Sequence, residues 1–135
     1  MLGKLGAYAT ILVVFVVVDF IWLGFVAKAF YRSELGDLLL PRPNLVAAVL
    51  FYLLFAAGLF LFVVQPAAAS GSLLRAALLG AAFGLVAYGT YDLTNLATLR
   101  GFSARLAAVD MAWGTVLTAI ASVAGYLALA KLEGS

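Results

Sequence analysis

Four apolar stretches, at roughly residues 5–29, 44–64, 73–98 and 104–130, take up most of this 135-residue chain. Each is long enough to cross a bilayer. A span needs about 20 mostly apolar residues in a helix. In hydrocarbon only a helix or a closed barrel satisfies its own backbone hydrogen bonds. The segments between the stretches are too short for a soluble domain. The expected fold is all-α: an integral membrane four-helix bundle in a single domain over 1–135. Composition agrees, with 67% of residues hydrophobic and 10% charged, against about 45–50% and 25% in soluble domains. Lys4 and the first apolar run imitate a secretion signal ending at Ala27-Lys28-Ala29. A signal core holds only about 7–15 residues, so the longer run from Leu5 to Val26 reads as the first span. Leu132–Ser135 is set aside as a terminal tail.

Polar residues interrupt the spans in three places. The longest run is Tyr88-Gly89-Thr90-Tyr91-Asp92-Leu93-Thr94-Asn95 in span three. Two shorter ones are Asp19-Phe20-Ile21-Trp22-Leu23-Gly24 and Asp110-Met111-Ala112-Trp113-Gly114. On helices, Tyr88, Asp92 and Asn95 share a face, as do Asp19 and Trp22, and Asp110 and Trp113. Spans alternate in direction, so loops one and three lie on one side of the membrane. At 1.5 Å per residue, Asp92 and Asp110 sit roughly 8–9 Å inside that boundary and Asp19 roughly 13 Å. An Asp near mid-span costs about 2.5–3.5 kcal/mol on insertion scales, less near the interface. Three are tolerated best if they face one another, water or donors, so the three stretches are expected to converge. Close carboxylates cannot all carry charge together. The Asp-x-x-Trp spacing of spans one and four has the form of an inverted repeat, although so short a match arises by chance as readily.

The rest of the chain reads as support. Lys28, Tyr31 and Arg32 mark a headgroup exit. Ser33 to Leu40 reads as an amphipathic surface turn ended by Pro41 and Pro43. Span two, with Tyr52 and Gly58, reads as packing and lipid contact, closed by Gln65-Pro66. Ser72 and Ser103 are candidate N-caps. Gly80 and Gly84 form a small-residue face in span three, and Thr118, Ala121 and Gly125 a seam in span four. Loops one and three hold five basic residues (Lys28, Arg32, Arg42, Arg100, Arg105) and the other side three (Lys4, Arg75, Lys131). That bias favours outside termini and a cytoplasmic polar cluster, yet it is small enough to leave dual insertion open.

There is no Cys and no His, which removes thiol chemistry, His-ligated haem and His-bound iron. No cofactor is expected and no dedicated metal site. Scattered basic residues and a net charge of +2 give no nucleic-acid footprint.

At the three polar stretches, and above all over Gly89-Thr90-Tyr91-Asp92-Leu93-Thr94-Asn95-Leu96-Ala97-Thr98, the chain resembles a family of small bacterial membrane proteins catalogued as domain of unknown function 2177. Val109-Asp110-Met111-Ala112-Trp113-Gly114-Thr115 and the Asp19 stretch carry the rest of the likeness. The resemblance implies four spans and a bacterial cytoplasmic membrane, and brings no activity with it. The family pattern has a Trp-Pro-like pair after Gly101 where this chain has Phe102-Ser103. That loop is expected to lie outside the site.

Three functional readings follow. In the first, Asp19, Asp92 and Asp110 are acid/base groups of a pocket lined by Trp22, Tyr88, Tyr91, Thr94, Asn95 and Trp113. It binds or modifies a lipophilic molecule, a lipid or isoprenoid, by proton transfer. A magnesium-type site of Asp oxygens with Asn95 is a minor variant. In the second, the chain is a proton- or cation-coupled transporter or channel acting as a homo-oligomer, motivated by the small-residue face of span three. In the third, it is an accessory subunit of a membrane complex. Against all three stands plain interhelical glue, at about 0.6 kcal/mol per hydrogen bond in membranes. Expected partners are membrane lipid, a lipophilic small molecule and a second copy, with no nucleic acid.

Overall fold

The computed structural model describes residues 1–134, and within them all regular structure is helical. Four helices are long and apolar enough to cross a membrane: α1 (Leu2–Val26), α3 (Leu45–Ala69), α4 (Leu73–Thr98) and α5 (Ala104–Glu133). A short helix, α2 (Lys28–Leu35), stands between the first two. The protein is an integral membrane four-helix bundle. Its outward faces carry residues such as Val13, Val17, Leu54 and Val86 and meet membrane lipid.

Helix starts follow local chemistry. The side chains of Asn44, Ser72 and Ser103 accept from the backbone N–H three residues on, at Ala47, Arg75 and Leu106. Each satisfies a donor that the first turn leaves without a partner. Turns reverse at Gly71 (φ +65) and Gly101 (φ +85), angles that a residue with a Cβ avoids.

Span one runs over Leu2–Val26 rather than 5–29, and two further boundaries differ from the sequence expectation. Span two does not close at Gln65-Pro66 but runs on to Ala69. Proline lacks an N–H, and its ring strikes the carbonyl four residues back. The helix widens into a π turn over Phe60–Val64, with Gln65 N–H reaching the Phe60 carbonyl, and so carries Pro66 without breaking. At the other end of the chain, α5 continues to Glu133. The side chains of Glu133 and Leu132 lie over Gly3 and Gly6 of α1, so these tail residues belong to the bundle. Ser135 lies outside the described residues.

α5 is the central helix, packed most extensively against α4 and next against α1. Its interface with α4 is the seam of small residues. A Cβ on Gly84 would stand 2.7 Å from Thr118 Cβ and run into the Gly114 carbonyl. One on Gly80 would stand 2.7 Å from Ser122 Cβ. The first part of α3 rests on α1, where the Tyr8 hydroxyl donates to the Leu53 carbonyl at 2.9 Å. The π turn and last turn of α3 bring it against α4 and α5. The tight core (Ile11, Leu59, Val64, Leu117, Ala121) therefore fills the half of the bundle nearer the termini.

Candidate functional site

The half nearer loops one and three is built on polar and aromatic side chains. Asp19 comes from α1 and is 6% exposed. Its Oδ1 accepts from Trp113 Nε1 of α5 at 3.0 Å, and its Oδ2 from the Tyr52 hydroxyl of α3 at 2.8 Å. Trp113 lies flat on Trp22, with ring centroids 4.3 Å apart and planes 8° from parallel. Trp22 Nε1 donates to the Tyr31 hydroxyl at 3.1 Å, and that hydroxyl donates to Asp110 Oδ1 at 2.6 Å. The Asp-x-x-Trp echo thus becomes a crosswise pairing. The Trp of α5 serves the Asp of α1, and the Trp of α1 serves the Asp of α5 through Tyr31.

Tyr31 reaches inward because α1 ends in a π turn. Ala27 N–H bonds back to the Trp22 carbonyl at 2.7 Å. Ala27 then leaves helical geometry (φ −113, ψ 11) and starts α2 in a new direction. π turns are frequent at functional sites because they re-aim neighbouring side chains. α2 packs Phe30, Tyr31 and Leu35 on Phe102, Leu106 and Ala107. It is latched by Ser103 Oγ, which donates to Glu34 Oε1 at 2.5 Å. The expected surface turn is instead a helix over the cluster from Lys28, followed by a short turn at Gly36–Leu38. Tyr31 is an inward donor, not a headgroup anchor. The Phe102-Ser103 loop, expected apart from the site, forms one of its walls; the Phe102 ring also meets Tyr91 edge-on. Burial first, and the Asp110 carboxyl second, hold the Tyr31 phenol above its usual range, so it stays a neutral donor.

Asp92 is fully buried, and no residue other than Asp110 offers its oxygens a hydrogen bond. Its neighbour is the Asp110 carboxyl. Asp92 and Asp110 pair, while Asp19 has donors of its own and still feels the Asp110 carboxyl. Their different depths along the spans explain the split. No three acids among the described residues are placed to hold a metal ion together.

Two cavities have Asp110 and Tyr91 in common in their linings. The larger, about 330 Å³, opens between α3 and α4 and is lined by Phe51, Phe55, Ala87, Tyr88, Tyr91 and Asp110. The other, about 230 Å³, lies beneath α2 and is lined by Leu23, Tyr31, Leu35, Tyr91, Asp92, Leu106 and Asp110. The Tyr88 ring sits directly on Gly114 and meets Phe55 edge-on at 6.2 Å.

Of the residues expected to line a pocket, Tyr88 and Tyr91 do so, and Trp22 and Trp113 form the stack behind it. Asn95 shares the half-buried face of α4 with Tyr88. Thr94 is a correction: it is exposed, and its hydroxyl donates to the Thr90 carbonyl of its own helix. It lies only two residues from Asp92, about 200° around the helix. Tyr52 and Phe55, read as bland packing, supply a donor to Asp19 and a wall of the cleft. One cue pointed to Tyr52: a lone hydroxyl within an all-apolar span needs a partner.

A family model described as predicted membrane protein, DUF2177, matches residues 4–127. The chain belongs to this family. No curated protein and no solved structure matches it. The matched stretch contains both Trp–Asp pairs, Tyr31, Tyr52, Asp92 and every residue lining the two cavities.

Proposed function

We propose that the protein takes up a lipophilic molecule, a lipid or isoprenoid, in the cleft between α3 and α4. Its polar end meets Asp110, with Asp92 as the partner carboxyl in proton exchange. The observation that carries this reading is the cleft: about 330 Å³, walled by Phe51, Phe55, Tyr88 and Tyr91, with Asp110 in its lining. Concave, mostly apolar sites with a few convergent polar groups are where small molecules bind. Phe51 and Tyr91 are exposed on the membrane-spanning surface, so a molecule dissolved in the bilayer enters without crossing water. Two neighbouring carboxyls away from water cannot both be charged. The pair therefore holds a proton that it gives to, or takes from, the bound molecule. Asp19 acts as a positioning residue, fixing Trp113 and Tyr52 behind the site. The setting is the bacterial cytoplasmic membrane. The oligomer reading loses its main motive, because Gly80 and Gly84 are covered by α5 of the same chain.

The test is retention. Wild type, Ala87→Trp and Asp110→Asn would be extracted with their native lipid into polymer-bounded discs and their bound small molecules identified by mass spectrometry. Ala87→Trp fills the cleft and should abolish retention of a compound that wild type enriches over bulk lipid. Asp110→Asn should weaken it. Equal profiles for all three would refute the proposal.

A further inference from the structure

We infer that the molecule bound at the Asp92–Asp110 pair is a lipophilic cation, an apolar body ending in a protonated amine. This deepens the proposed function and rests on it. The starting point is Asp92. Asp19 has two donors and Asp110 has the Tyr31 hydroxyl, whereas Asp92, fully buried beside another acid, has nothing but the proton it can share with Asp110. A buried polar group without a partner costs more than a hydrogen bond returns. One shared proton and the Tyr31 hydroxyl leave oxygens of the pair unserved, so what the site lacks is further donors or a positive charge. Asp92 lines the cavity beneath α2, which shares Asp110 and Tyr91 with the lipid-facing cleft, so an end group reaching Asp110 comes up against the carboxyl that Asp92 is paired with.

The linings exclude the opposite charge. None of the residues around either cavity is basic. Lys28, Arg32, Arg100 and Arg105 lie on the same side of the membrane but are exposed at the rim. A phosphate or carboxylate end would sit against two acids with nothing to balance it. Tyr88, Tyr91, Phe51 and Phe55 offer π faces, which attract a cation and more so when water is excluded. A neutral alcohol brings one donor, which serves one oxygen. An ammonium brings three, with a charge that lets both carboxyls ionise. Binding is then an exchange, in which the ammonium enters and the proton held by the pair leaves. The other titratable groups around the pair are Tyr31 from α2 and Tyr91 from α4, with Asp19 of α1 and Tyr88 of α4 deeper.

The chain has two tryptophans, and both lie in the stack behind the cleft, so fluorescence excited selectively at tryptophan reports on the surroundings of this site. Decylamine, decanol and decanoate share one apolar chain and end in a cation, a neutral group and an anion at neutral pH. Each would be titrated into protein held in nanodiscs of zwitterionic lipid. The expected result is a saturable fluorescence change with decylamine, at a Kd about tenfold or more below that of decanol, and none with decanoate. Asp92→Asn and Asp110→Asn should each bring decylamine to the level of decanol. If decanol or decanoate saturates as tightly as decylamine, the cation is refuted while the lipophilic pocket stands. If none of the three saturates, both readings fail. Should the Asn variants not fold, the wild-type series decides by itself.

Discussion

Replacing Tyr31 with Phe removes one oxygen and breaks two hydrogen bonds, from Trp22 Nε1 at 3.1 Å and to Asp110 Oδ1 at 2.6 Å. The ring remains, and with it the packing on Phe102, Leu106 and Ala107, so the change isolates the hydroxyl. Bonds to charged partners are worth about 1.5–3 kcal/mol in soluble proteins. In membranes the average is about 0.6 and the maximum about 1.7 kcal/mol. The Trp22 bond joins two neutral groups, and the lower figure applies. The Asp110 bond is short and goes to a carboxyl, and the upper figure applies. Together they give a loss of about 1.5–2.5 kcal/mol. Unfolding in lipid would be followed by tryptophan emission, which should also shift in the folded variant because Trp22 has lost its acceptor. A double-mutant cycle with Asp110→Asn should return about 1 kcal/mol or more of coupling. Proton linkage supplies a second readout. The Tyr31 proton is held more tightly in the folded chain than in the unfolded one, where a phenol titrates near 10. Its contribution is therefore complete below about pH 10 and is lost as pH rises above that value. The stability gap between wild type and Tyr31→Phe should shrink in that range. A loss under about 0.5 kcal/mol, the scatter of neutral surface changes, with unshifted emission would refute the relay.

Gly84→Ala should cost about 1–3 kcal/mol or more, since the new Cβ meets Thr118 and the rigid Gly114 carbonyl. Gly24→Ala, whose nearest contact is Phe20 at 3.5 Å, should cost nothing, and thermal unfolding in detergent compares them. Thr94→Val should leave both stability, within about 0.5 kcal/mol, and ligand retention unchanged, because its hydroxyl serves only its own helix. Reduced retention in Thr94→Val would restore that residue to the site.

Hydrophobic run length was enough to predict the four spans, because a bilayer leaves a chain so few ways to satisfy its backbone. Depth along the helices placed all three acids in one half of the bundle, with Asp92 and Asp110 level and Asp19 deeper. It did not foresee that Asp19 would take its donors from Trp113 and Tyr52. Tyr31 was misread for a physical reason. Whether a residue just past a span end faces the headgroups or folds back depends on how the chain leaves the helix. That was decided by one i→i−5 bond at Ala27, which no residue type announces. Pro66 misled for a related reason, since a π turn upstream lets a helix absorb a proline that would otherwise end it. The small-residue face in span three was legible as a close-packing surface. Whether its partner was a second copy or α5 could not be read from residues on one helix.

The two halves of the bundle divide the work. Near the termini, glycines and small hydroxyl residues let α4 and α5 approach until no space remains, and α3 closes against them beyond Leu59. That packing leaves the other half free to be open. There the first part of α3 rests on α1, and aromatic rings bridge to α4 across the cleft. Polar contacts hold the walls in place: Tyr52 ties α3 to Asp19, Trp113 ties α5 to α1, and Tyr31 ties α2 to α5. Polar glue and a binding site are therefore not competing accounts of the same residues. Asp19 has its donors and reads as glue. Asp92, buried against a second acid with a cavity on one side, is the residue that glue does not explain.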